Sequence, residues 1–188
     1  MHTLKIACYC FCLMLSTSIW ANTSDTFDPE IRDALKKSFA TADSFKDRYI
    51  AEVWLVDMSG RIDRYVKDDL ERVEILRTAH AEAQRHELPI DLVLGLIHTE
   101  SLFNRFAISR AGAQGLMQVM PFWKKEIGRP NDNLTSIKTN LRYGCTILKH
   151  YLKVAKGDWT EALARYNGSY GKVWYPERVY KNQKRYRE

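Results

Sequence analysis

Residues 93–100 read Val-Leu-Gly-Leu-Ile-His-Thr-Glu, an apolar run that ends on a carboxylate. Val93, Leu96 and Ile97 fall on the helical face that also carries Glu100, because positions three and four apart share a face. A helix of this kind has to be packed on its apolar side, so the chain is committed to a helical core with an acid at its edge. Burial disfavours the charged form of a carboxyl. Glu100 is therefore expected to hold its proton toward neutrality, which is the state a general acid needs.

No Asp or Glu occurs between Glu100 and Glu126. Most sugar-cleaving sites pair two carboxylates, one to protonate the leaving oxygen and one to act as nucleophile or base. If this were such a site, the partner carboxylate would have to come from far along the chain, or be absent. Absence has a chemical solution: the substrate supplies its own nucleophile, such as a 2-acetamido group, and the same Glu returns as base.

Glu100-Ser101-x-Phe103 is followed by Ala107-x-Ser109-x-x-Gly112-Ala113-x-Gly115-Leu116-Met117-Gln118-Val119-Met120-Pro121, and later by the pair Tyr166-Asn167. In order and spacing these residues closely resemble the soluble lytic transglycosylase (SLT) catalytic domain, over roughly residues 70–183. The resemblance implies a mainly α, lysozyme-like α+β domain with a small irregular, extended segment beside the cleft. It implies cleavage of the β-1,4 bond between N-acetylmuramic acid and N-acetylglucosamine in peptidoglycan, ending in a 1,6-anhydro product, with no metal or organic cofactor. Glu100 would be the catalytic acid and then base. Ser109, Met117, Gln118, Tyr166 and Asn167 would line the sugar cleft, with Tyr166 turned toward the acid. The family pattern Ala-Tyr-Asn-Ala-Gly is replaced here by Arg165-Tyr166-Asn167-Gly168-Ser169, which bears on cleft width and subsite preference more than on catalysis.

At 188 residues with 45% hydrophobic content, one domain with appendages is expected. Lys5 and the apolar run from Ile6 to Leu15, closing on Ile19-Trp20-Ala21, fit an export signal over residues 1–21. A membrane span needs about 20 apolar residues, more than this run provides. The expected location is thus the periplasm. Cys8, Cys10 and Cys12 lie inside the leader, so Cys145 would stand alone in the processed chain with no disulfide to form. It shares a helical face with Ile137, Leu141, Leu148 and Leu152 and reads as a small buried hydrophobe.

Residues 22–68 read as an N-terminal extension, polar over 22–29 and then helical, with Phe45, Tyr49, Val53 and Val56 on one face and a stop at Gly60. A hairpin turning at Ser59-Gly60 competes with that helix. The catalytic domain is expected over 69–183. A helix from Asp69 to about His86 is followed by the Glu100 helix opening at Pro89-Ile90-Asp91. Residues 111–119, with two glycines, read as loop and short extended pieces. A short helix follows Pro121, a long one covers Ile137–Leu152, another carries Trp159, Leu163 and Tyr166, and a last one follows Pro176. Residues 184–188 form a basic tail, part of the cluster Arg178, Lys181, Lys184, Arg185 and Arg187.

Bland readings compete at several positions. Ser101 could bond its own helix backbone. A plain turn would account for Ser109 and Gln118, core packing for Met117, and a structural hydrogen bond for Asn140. Tyr180 could reach the cleft from the last helix. The histidines show no metal-ligand spacing, and there is no nucleophile elbow, phosphate loop or dinucleotide signature. The net charge of +6 suits an anionic wall polymer. It would suit nucleic acid too, but no recognition motif supports that partner. Expected partners are peptidoglycan glycan strands, with no nucleic acid, for a monomer; a partner in the envelope machinery is left open. The rival functions are a goose-type muramidase, in which water replaces the 6-hydroxyl, and a non-catalytic peptidoglycan-binding assembly module.

Overall fold

A computed structural model describes residues 48–187. The expected leader at 1–21 with its three cysteines, the polar stretch 22–29, Phe45 and Glu188 lie outside the described residues. Seven helices carry the described chain: α1 (Arg48–Ile62), α2 (Asp69–Arg85), α3 (Ile90–Ser101), α4 (Trp123–Ile127), α5 (Ile137–Val154), α6 (Trp159–Asn167) and α7 (Trp174–Gln183). The extended content is two isolated antiparallel bridges, Ile108 with Gln114 and Gln114 with Val119. Among the described residues the fold is mainly α, with an irregular extended patch over 108–119 around the two glycines.

Helix starts follow the polar signals. The Asp68 carboxylate accepts from the Glu71 N–H at 2.7 Å, and Asp158 accepts from Thr160 and Glu161 N–H at 2.8 and 3.1 Å, which satisfies first-turn donors that have no helical partner. Two boundaries differ from expectation. α1 runs through Gly60 to Ile62; Ile62 is fully buried and holds the last turn onto the core. α7 begins at Trp174, before Pro176 rather than after it. Proline is tolerated in a first turn because its missing N–H would have had no partner there.

α3 is the central element. Leu92 through His98 are all buried, and the apolar residues among them belong to one continuous cluster that also takes in α1 (Ala51, Leu55, Met58), α2 (Val73, Leu76), α5 (Leu141, Leu148) and α7 (Val179). α7 lies closely along α3. A Cβ on Gly95 would sit 2.7 Å from the Gln183 backbone N, so only glycine permits this approach. Asn182 Nδ2 donates to Thr99 Oγ1 at 3.0 Å and Gln183 Nε2 to Asp91 at 2.8 Å, fixing the register of the two helices. No helix among the described residues is long and apolar enough to cross a membrane.

Cys145 is fully buried on α5, and burial pushes its thiol far up from the ordinary range. In a chain starting after residue 21, no thiol is expected to react with a thiol reagent until the protein unfolds. Rapid stoichiometric labelling of the folded protein would contradict this burial.

Candidate active site

Glu100 sits in the last turn of α3. The chain then reverses through Leu102 and Phe103, both at positive φ (52° and 63°). Left-handed backbone costs a non-glycine residue about 1–2 kcal/mol, and the complete burial of Phe103 offsets it. Ser101 Oγ lies 3.1 Å from the Ile97 carbonyl and 2.8 Å from the Leu116 carbonyl, tying the helix end to the glycine loop. Its backbone role thus has direct support.

Burial raises the Glu100 pKa from 4.5 to about 7; a hydrogen bond from Tyr175 and the charge of Arg178 pull the other way. The Tyr175 hydroxyl donates to Glu100 Oε1. Tyr175 is buried on the first turn of α7, and burial together with the Glu100 charge keeps its phenol protonated far above the ordinary range. Arg178 follows one helical turn later, exposed, on the α7 face that also holds Asn182 against α3.

Tyr166, expected to be turned toward the acid, bonds the loop rather than the carboxyl. Its hydroxyl donates to the Met117 carbonyl at 2.7 Å. The ring remains close enough for the Glu100 charge to act on it, second to burial, and both push its phenol upward. The donor to the acid is Tyr175, which sequence reasoning missed because the last helix was begun after Pro176. The usable signal was the helix periodicity itself: Tyr175, Arg178 and Asn182 recur at one-turn and two-turn spacing on one face.

Asn140 organises the loop. Its Oδ1 accepts from the Met117 N–H at 2.8 Å, and its Nδ2 reaches the Gln114 and Leu134 carbonyls at 2.8 and 2.7 Å. Gly115, at φ +78°, lies directly against it; a Cβ there would be 2.3 Å from Asn140 Nδ2 and 2.4 Å from the Leu134 carbonyl. Met117 is a correction. Its side chain has no exposed surface and fills the space over Gly144, so it offers a ligand no contact; its carbonyl anchors Tyr166 instead.

Gln118 is half-buried at φ +49°, and its Nε2 donates to the Ala107 and Gly115 carbonyls at 3.1 and 3.0 Å. Ser109 Oγ accepts from the Ala113 N–H at 3.0 Å, closing the turn around Gly112. Asn167 is exposed at the end of α6. Gly168 provides the left-handed cap there (φ 78°), and the Ser169 N–H bonds the Ala164 carbonyl at 2.8 Å, so this Gly-Ser pair serves to end the helix. Arg165 is held by Glu161 at 2.7 Å and lies over the Tyr170 ring at 4.0 Å. Tyr180 faces Thr160 Oγ1 at 3.1 Å and belongs to the α6–α7 contact.

One prediction follows from the Tyr175 bond. A phenol donating to a carboxylate favours the charged form, so Tyr175→Phe should raise the Glu100 pKa. The high-pH limb of an activity that needs protonated Glu100 is expected to move upward by about one unit or more. An unmoved limb in the pH–rate profile would show that the bond does not act on the acid.

The sequence matches the transglycosylase SLT domain over residues 77–188. It is 34% identical over 112 residues to the transglycosylase of Enterobacteria phage PRD1, covering 56% of this chain and 41% of that protein. It is 35% identical over 90 residues to membrane-bound lytic murein transglycosylase C of Glaesserella parasuis serovar 5 (strain SH0165), covering 43% and 24%. Against the enzyme of the same name from Haemophilus influenzae (strain PittEE), identity is 56% over 39 residues, 21% of this chain and 11% of that protein. The chain thus spans less than half the length of these relatives. With the match reaching from α2 to the C-terminus and enclosing the acid, the loop and both tyrosines, the chain belongs to the transglycosylase SLT domain family.

Proposed function

We propose that the chain is a lytic transglycosylase that cleaves the β-1,4 bond between N-acetylmuramic acid and N-acetylglucosamine in peptidoglycan, with Glu100 as its single acid and base. The observation that carries this reading is a half-buried carboxyl at the end of α3 that accepts from the Tyr175 hydroxyl; burial raises its pKa to about 7, and its acting charged neighbour is a cation rather than a second carboxylate. Protonated Glu100 gives its proton to the glycosidic oxygen as the bond to C1 breaks. The resulting carboxylate then takes the proton of the muramic acid 6-hydroxyl as that oxygen bonds C1. No water is consumed, and Glu100 ends as it began. Tyr175 fits both halves, since its phenol stabilises the carboxylate between them.

Ser109, Gln118 and Asn167 are proposed as cleft contacts, and Tyr166 as the brace that holds the loop beside the acid. Exposed Phe106 and Ile108 follow Glu100 in the chain and exposed Trp174 opens α7 next to Tyr175, as apolar surface for sugar faces. The leader at 1–21 supports export to the periplasm, with the extension at 22–68 preceding a catalytic domain at 69–183. Mass analysis of muropeptides released from sacculi tests the reaction. Anhydro ends, lighter by one water than reducing ends, are expected; exclusively reducing ends would assign a muramidase. Absence of any release by the wild-type protein would favour a binding module.

A further inference from the structure

On the side of α3 away from Glu100, the C-terminus of α1, the α1–α2 turn and the end of the chain enclose a cavity of about 270 Å³. Its walls include Arg61, Arg64, Tyr65, His98, Arg185 and Tyr186. Arg61 is a structural strut. It pairs with Asp57 at 2.6 Å and donates to the Arg185 and Arg187 carbonyls at 2.9 Å each, which pins the chain end to α1. Arg64 and Arg185 are different. Neither enters an ion pair among the described residues, and Asp63 at the rim enters none either.

His98 is buried, with Nδ1 at 2.6 Å from the Tyr186 hydroxyl and Nε2 at 3.2 Å from that of Tyr65. Burial first, and the charges of Arg185 and Arg64 with it, lower its pKa from 6.5 to about 4, so the ring is neutral and both guanidinium fields reach it. A neutral imidazole has one donor nitrogen and one acceptor nitrogen. One phenol therefore donates to the ring and the other accepts from it, whichever tautomer holds. The accepting phenol keeps an O–H that has no acceptor among the described residues. Arg64 adds a donor to the Tyr65 oxygen, not an acceptor. The cavity thus presents one phenolic O–H and two guanidinium groups, a surplus of donors and of positive charge around a rigid buried imidazole.

We propose that this cavity is a binding site for a small oxyanion, a carboxylate or phosphate group, held by Arg64, Arg185 and the free phenolic hydroxyl of the Tyr65–His98–Tyr186 chain. Forked guanidinium donors suit the planar or tetrahedral oxygens of such groups. The site is independent of the cleft chemistry, since His98 and Glu100 lie on different sides of α3.

The test is NMR of the folded protein carrying ring-labelled histidine, titrated at constant ionic strength with acetate in one arm and inorganic phosphate in the other, against chloride. The expected result is a saturable shift of the His98 ring signals in at least one arm, weakened about tenfold or more in Arg64→Gln and in Arg185→Gln. Glu100→Gln should bind unchanged, which separates this site from the fate of the transglycosylase reading. Saturation with acetate alone points to a carboxylate ligand, and tighter saturation with phosphate to a phosphate ligand. A non-saturating response equal to that of chloride, or full binding in the Arg64→Gln, Arg185→Gln double variant, would overturn the proposal.

Discussion

Glu100→Gln is expected to reduce release of soluble muropeptides by roughly 10²–10⁴-fold, the range that a positioned acid or base contributes, and by more if both halves of the reaction use the same proton. The same substitution is expected to stabilise the fold at alkaline pH. The folded-state pKa of Glu100 is about 7, above the ordinary 4.5. Below the lower value both states are protonated and burial of the neutral acid carries no charge penalty. Between the two values the unfolded chain releases a proton that the folded protein retains, so wild-type stability declines with rising pH through this window. Glutamine has no proton to lose. The variant should therefore gain up to about 3 kcal/mol relative to wild type by pH 8, seen as a higher midpoint in urea unfolding at pH 8 and a much smaller difference at pH 4. A variant that lost lysis without gaining alkaline stability would indicate an acid already solvated in the folded protein.

Asn140→Ala is expected to destabilise the protein by about 3–4 kcal/mol, since it removes three hydrogen bonds from a site with almost no solvent access. The Met117 N–H and the Gln114 and Leu134 carbonyls would be left without these partners in the interior. Activity should fall more than the folded fraction does, because Met117 also presents the carbonyl that anchors Tyr166. Asn140→Asp should not rescue it, as a carboxylate facing two carbonyls supplies no donor. Urea unfolding with lysis measured below the transition separates the two effects. A loss under about 1 kcal/mol would mean that the loop holds its shape without the amide.

The acid was legible because two local signals agreed, an apolar helical face and a carboxylate at its end. The irregular loop was legible from its glycines, and a structural hydrogen bond was among the readings the sequence offered for Asn140. Tyr175 was hidden by one misjudged boundary: Pro176 reads as a helix start, yet it occupies the first turn of a helix already begun. Met117 shows the opposite failure. A motif position suggested a ligand contact, while the small residue that receives its side chain, Gly144, lies 27 positions later and says nothing locally. The His98 cluster was invisible for the same reason, since its partners Tyr65 and Tyr186 lie 33 and 88 residues away. Contacts of that span belong to packing, and periodicity within one element does not report them.

The claim that everything else needs is a Glu100 carboxyl that keeps its proton close to neutral pH. Carbon NMR of the protein with carboxyl-labelled glutamate, titrated from pH 4 to 9 and assigned by the signal missing from Glu100→Gln, reads that proton directly. A midpoint of about 7 is the expected result. A midpoint at the ordinary glutamate value of 4.5 would contradict a buried general acid at this position.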